Sequence, residues 1–82
     1  MSKGRRISIL QNLRYQRIVL ALTVASDAAG LSQTRIADAL GLQQPDISKV
    51  ESFQRELTIT EMLDWLDLVH LDIASLTGGK LV

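Results

Sequence analysis

The segment at residues 31–52 constrains the fold of this chain more than any other part of it. It reads LSQTRIADALGLQQPDISKVES, and on both sides of Gly41 its apolar residues recur at the spacing of an amphipathic helix. Ser32 is a favourable helix N-cap, and Gly41 readily adopts the left-handed backbone that ends a helix. The segment therefore predicts two short helices, at 33–40 and 44–52, joined by a tight turn.

The rest of the chain continues the helical pattern, and strand-like alternation is confined to one possible stretch at 7–10. Thr58 and Glu61 have the spacing of a capping box. We expect an all-α fold, a compact four- to five-helix bundle with helices at about 14–29, 33–40, 44–52, 58–70 and 73–77. The residues expected to face its core are Ile18, Leu22, Ala25, Ala29, Ile36, Ala37, Leu40, Ile47, Val50, Ile59, Met62, Leu63, Leu66 and Val69.

The charge of the chain is balanced overall but unevenly distributed. With 82 residues the chain is one domain, and its lack of cysteine excludes disulfides and thiolate metal sites. Basic residues, among them Lys3, Arg5 and Arg6, precede the first acid, whereas acids dominate the C-terminal part. We interpret residues 1–13 as a basic N-terminal arm or extension, and its form is left open between an arm, a helix extension and a strand. We interpret residues 78–82 as a C-terminal tail.

Two short helices joined by a glycine-containing turn are typical of the helix-turn-helix, whose second helix enters the DNA major groove. Glutamine suits the edge of adenine and lysine suits that of guanine. Asp46 has two open roles, accepting from cytosine or, as we favour, capping its own helix. The candidate base-reading residues are Gln43, Gln44, Ser48 and Lys49.

Phosphate contacts are expected at the start of the first of these helices and in the loop after the second. Exposed N–H groups at a helix start attract phosphate, and polar side chains beside them fix the register on the duplex. The candidate phosphate-contacting residues are Gln33, Thr34, Arg35, Ser52, Gln54 and Arg55.

Residues 31–69 resemble the phage-repressor/Cro-like helix-turn-helix family, often labelled XRE. The matching residues are Leu31-Ser32-Gln33, Ile36-Ala37, Leu40-Gly41, Gln44, Ile47-Ser48-Lys49-Val50-Glu51, Arg55, Leu57-Thr58 and Leu63. The resemblance implies a lambda-repressor-like fold, a phosphate grip by Gln33 and base reading by Gln44 and Lys49. The size and the RELTI segment are also similar to stand-alone controller proteins of restriction–modification systems, and Cro-like and antitoxin regulators share that size.

The chain departs from this family at two places. Ser52-Phe53 stands where the family usually has Asn-Gly, and Ser26 stands where many members have an arginine that pairs with the Glu51 position. Glu51 must then pair with another group or remain solvated. The candidate partners are Arg14, Arg17 and Arg35.

Trp65, Leu68 and Leu71 form a second apolar stripe beside the expected core stripe of the fourth helix. A chain this short has a small core, and an uncovered apolar stripe marks a partner. We favour a homodimer interface at these three residues. The alternative is packing under Ile73, Leu76 and Leu81.

These features favour a sequence-specific transcriptional regulator, a repressor, that binds double-stranded DNA as a homodimer on a palindromic operator. The alternative is an antitoxin or another interaction module whose main ligand is a protein, and a toxin or polymerase is a possible partner. We expect no enzyme activity, cofactor, metal site, signal peptide or membrane span, and a cytoplasmic location. The single histidine, His70, is expected at a helix end.

Overall fold

The computed structural model describes residues 9–72 and residue 74, and these form a small all-helical bundle without strands. The four helices are α1 Leu13–Ala28, α2 Gln33–Leu40, α3 Gln44–Glu51 and α4 Ile59–Val69, preceded by a short 3-10 turn at Ile9–Gln11. The prediction of four helices is confirmed, with ends that differ by at most one residue. Lys3, Arg5, Arg6, the tail at 78–82 and all but residue 74 of the expected helix at 73–77 lie outside the described residues.

The first helix begins at Leu13 because Asn12 caps it. The Asn12 side chain accepts hydrogen bonds from the backbone N–H groups of Arg14 at 2.9 Å and Tyr15 at 3.2 Å. Such a cap satisfies amides that have no partner within the helix. The described part of the N-terminal extension is not a strand, because Ile9–Gln11 form the 3-10 turn and α1 begins at Leu13.

All four helices end in the same backbone motif, in which one residue takes a left-handed conformation. Gly30 and Gly41 have φ of 73°, as expected for glycine, but Phe53 and His70 adopt φ of 61° without that freedom. At each end the following amide bonds back to the carbonyl five residues earlier. Ser52-Phe53 thus makes the turn after α3 without an Asn-Gly pair. His70 lies at the end of α4, as predicted.

The core lies where α2 packs against α3 and α4, and where α1 packs against α4 and α3. Its buried apolar residues are Val19, Leu22, Ile36, Ala37, Leu40, Ile47, Val50, Leu57, Trp65 and Leu66. The core predictions for α2 and α3 are confirmed. On α1 the buried face is rotated by about one residue, because Val19 and Ser26 are buried whereas Ala29 is exposed.

Trp65 corrects the expectation of a dimer interface on the second stripe of α4. Its side chain is 0% exposed, and its indole N–H donates to the hydroxyl of Ser26 at 2.8 Å. Leu68 and Leu71 are half-buried against the same core. The stripe therefore belongs to the core of its own chain, and Ser26 is the hydrogen-bond partner of this tryptophan.

The stripe of α4 that was expected to face the core is turned outward at two positions. Ile59 is 74% exposed and Leu63 is 49% exposed, although both were expected in the core. Two adjacent apolar stripes have the same helical period, so the sequence pattern alone does not decide which one faces α1 and α2. The hydrogen bond between Trp65 and Ser26 is compatible with only one of these rotations.

Candidate nucleic-acid interface

The outer face of α3 is polar because its two apolar residues are committed to the core. Ile47 and Val50 are buried, whereas Gln44, Ser48 and Lys49 are exposed on the opposite side. Gln43, the residue before α3, is also exposed. The structure therefore places all four predicted base-reading side chains on or beside one accessible helix face.

A chain of side-chain hydrogen bonds joins the first residues of α2 and α3 to the last residue of α3. The side-chain N–H of Gln33 donates to a carboxylate oxygen of Glu51 at 2.8 Å. The side-chain N–H of Gln44 donates in turn to the side-chain oxygen of Gln33. The partner of Glu51 is thus the Gln33 amide and not one of the three arginines proposed from the sequence.

This arrangement leaves polar groups on both glutamines for a ligand. Each amide nitrogen carries two N–H bonds, and each of these nitrogens uses one of them within the network. Gln33 retains one N–H, and Gln44 retains one N–H together with its carbonyl oxygen. A phosphate needs a donor, and the edge of a base needs a donor beside an acceptor, so the remaining groups suit the two roles predicted for these residues.

Asp46 takes the capping role that the sequence favoured. Its carboxylate accepts from the backbone N–H of Gln43 at 3.0 Å, and it lies in the first turn of α3, where negative charge is favourable. This bond uses the backbone of Gln43 and not its side chain, which stays on the surface.

Of the six predicted phosphate-contacting residues, Gln33 belongs to the network described above, and the other five divide into two groups. Thr34 and Arg35 are exposed in the first turn of α2, and Gln54 is exposed after α3. Ser52 instead donates its hydroxyl back to its own helix, at 3.0 Å from the Ser48 carbonyl oxygen. Its proton is therefore engaged, and its role in this structure is to close the end of α3.

Arg55 is likewise committed within the protein. Its two terminal nitrogens bind the two carboxylate oxygens of Glu61 at 2.9 and 3.0 Å. This bidentate pair raises the pKa of Arg55 and lowers the pKa of Glu61, in both cases chiefly through the shared hydrogen bonds. Because Glu61 also accepts from the Thr58 N–H in the predicted capping box, Arg55 anchors the start of α4. A phosphate contact by Arg55 stays a prediction.

Tyr15 holds the loop between α3 and α4 in place and was not singled out from the sequence. Its hydroxyl accepts from the backbone N–H of Leu57 at 2.8 Å, and burial raises its pKa. A lone tyrosine on an amphipathic helix carries no sequence signal for a partner more than forty residues away. Only the packing of α1 beside this loop reveals the contact.

No protein-family model matches this chain, and no curated protein is significantly similar to it. Across residues 9–72 and 74, no helix is both long and apolar enough to cross a bilayer. In the same part of the chain, no group of three or more potential metal ligands comes together.

Proposed function

We propose that this protein is a sequence-specific DNA-binding regulator of transcription that presents α3 to the major groove. The observation that carries the proposal is the bonded pair Gln33–Gln44, which lies at the edge of the exposed polar face of α3. One member supplies a free donor for a phosphate, and the other supplies a donor and an acceptor for a base. In this arrangement the phosphate contact and the base contact are held in a common register.

The packing of α2 and α3 supports a helix-turn-helix. The two helices contact each other directly and are joined by residues 41–43, with Gly41 in the left-handed conformation that the turn requires. Thr34 and Arg35 are exposed at the start of α2, where helix N–H groups and a positive charge attract phosphate. A repressor acting by occupancy in the cytoplasm is the simplest form of the proposal.

Lys49 extends the proposed reading face toward the end of α3. Its ammonium group is exposed and is a candidate donor to guanine. We therefore expect Gln44→Ala and Lys49→Ala to lower affinity for the preferred sequence more than for random DNA. Thr34→Ala and Arg35→Ala are expected to weaken binding to all sequences more evenly.

A homodimer on a palindromic site remains part of the proposal, but with a different surface. Trp65 is buried, whereas Ile59 and Leu63 lie one turn apart on the exposed side of α4 and leave apolar area uncovered. A second copy that buries this face pairs two reading helices about one DNA turn apart. Leu63→Lys is then expected to give a folded monomer with weaker operator binding, measured by analytical ultracentrifugation and titration.

Selection of DNA from a random duplex pool tests the proposed function. A two-fold symmetric sequence enriched by the folded protein at physiological salt supports it. Gln44→Ala should change the selected bases, whereas Thr60→Ala, which removes an exposed polar side chain from α4, should not. Enrichment of no sequence by a protein that retains its helical content would refute DNA reading.

A second function, a protein-interaction module such as an antitoxin, is favoured by exposed apolar residues on α1. Leu13, Leu20 and Val24 are 68%, 52% and 65% exposed. A protein ligand that covers these side chains explains their exposure without DNA. A stoichiometric complex with a purified candidate toxin, abolished by Leu20→Lys/Val24→Lys, together with no selected DNA sequence, favours this function over the first.

A further inference from the structure

Glu51 ends α3 and bonds Gln33, which itself bonds Gln44. We propose that Glu51 is a positioning residue that fixes which way both amides point, so that Gln44 reads adenine and rejects guanine. This inference rests on the proposed DNA-binding function. Glu51 itself does not contact DNA in this scheme, because a carboxylate beside a phosphate is repelled.

The direction of the hydrogen bonds follows from the chemistry of the last group in the chain. A carboxylate only accepts hydrogen bonds, so the Gln33 amide must turn its nitrogen toward Glu51. Its oxygen then faces Gln44, which must turn its own nitrogen inward to donate. Rotation of either amide by 180° places two acceptors or two donors against each other, so Glu51 selects one of two otherwise similar arrangements.

This selected arrangement determines what Gln44 offers outward. One N–H is used by Gln33, which leaves one N–H and the carbonyl oxygen. Adenine presents an acceptor at N7 and a donor at N6, which this pair matches. Guanine presents acceptors at both N7 and O6, so the Gln44 oxygen faces the guanine oxygen and the second acceptor has no donor. In the reversed arrangement Gln44 presents two N–H groups and suits guanine.

The burial of the network supports this role. Gln33 and Glu51 are half-buried between α2 and α3, whereas Gln44 is exposed. The orientation of the amides is therefore fixed by hydrogen bonds in a partly shielded position, where hydrogen bonds are stronger. This orientation determines which groups the exposed Gln44 side chain presents to a base.

The variant Glu51→Gln tests the proposal because glutamine has nearly the same shape as glutamate but can donate hydrogen bonds as well as accept them. A glutamine at 51 can either accept from Gln33 or donate to it, so both arrangements become available. We expect the wild-type protein to prefer adenine over guanine at the Gln44 position by about 5- to 150-fold, which is the range for one bidentate contact. In Glu51→Gln this ratio should fall toward one, measured on selected duplexes that differ at that base pair.

Glu56→Gln is the matched control. It removes one carboxylate from an exposed position outside the network, so any change in nonspecific electrostatic attraction is shared with Glu51→Gln. We expect Glu56→Gln to shift affinity for all duplexes alike and to leave the adenine-to-guanine ratio unchanged.

An exchange of the two side chains provides a second, independent test. In Gln33→Glu/Glu51→Gln the carboxylate at 33 accepts from both neighbouring amides, which again forces the Gln44 nitrogen inward. We expect this double variant to regain the adenine preference of the wild type while binding all DNA more weakly, because a carboxylate replaces the phosphate donor. A merely structural role for Glu51 does not produce this recovery.

The outcomes separate the two proposals. If the wild type selects a defined DNA sequence but folded Glu51→Gln keeps the full adenine preference, or if the exchange variant does not regain it, the polarity role is overturned and the DNA-reading proposal stands. If the folded wild type selects no sequence, the DNA-reading proposal itself fails.

Discussion

Removal of the Ser26 hydroxyl is the sharpest test of how the core specifies the rotation of α4. Ser26 is 1% exposed and Trp65 is 0% exposed, and the hydroxyl both accepts from the indole and donates to the Leu22 carbonyl. In Ser26→Ala the indole N–H stays buried without an acceptor. Leaving such a donor unsatisfied costs about 1–3 kcal/mol, whereas the better helix propensity of alanine returns about 0.5 kcal/mol.

We therefore expect Ser26→Ala to lower the free energy of unfolding by about 1.5 kcal/mol. For a domain of this size that corresponds to a fall in Tm of about 6–12 °C. Trp65 is the only tryptophan, so its fluorescence during urea unfolding reports directly on the environment that the substitution disturbs.

Thr23→Ala is the matched control for this measurement. Thr23 also lies on α1 and also donates its hydroxyl to the carbonyl four residues earlier, at 2.9 Å, but its hydroxyl bonds to no buried indole. Its substitution should change stability by less than about 0.5 kcal/mol. Equal stability of Ser26→Ala and the wild type, with cooperative unfolding in both, would refute the claim that this hydrogen bond holds α4 in its observed rotation.

Three further predictions concern the helix ends and the loop before α4. His70→Gly should raise the free energy of unfolding by about 1 kcal/mol in thermal melts, because His70 is exposed and left-handed, and unchanged stability would contradict this. The bond to Arg55 lowers the folded-state pKa of Glu61, so the pair stabilises the fold above the ordinary glutamate pKa and loses that contribution as the pH falls through the lowered value. Glu61→Gln should therefore flatten the dependence of the free energy of unfolding on pH in acid, measured by urea titrations. An unchanged pH dependence in this variant would argue against the role of the pair. Tyr15→Phe should cost about 1–2 kcal/mol in urea unfolding because the Leu57 N–H loses its acceptor, and a wild-type midpoint would show that the contact is dispensable.

Local sequence chemistry was sufficient to predict where the helices lie. Ser32 and Gly41 bound α2 as expected, and the Thr58 capping box begins α4. These capping signals involve residues three to five positions apart, so they can be recognised in the sequence without knowledge of the fold. The exposed polar face of α3 was predictable for the same reason, since the positions of Ile47 and Val50 determine which side remains outside.

The tertiary structure decided which partners distant side chains take. Trp65 donates a hydrogen bond to Ser26, and Tyr15 accepts one from the Leu57 N–H. Glu51 accepts a hydrogen bond from Gln33 rather than pairing with an arginine. Two apolar stripes on α4 have the same period, and several donors in the sequence suit one carboxylate, so composition and spacing leave these choices degenerate. They are resolved only when the helices pack, because a buried polar group is stable only beside the one partner that its position allows.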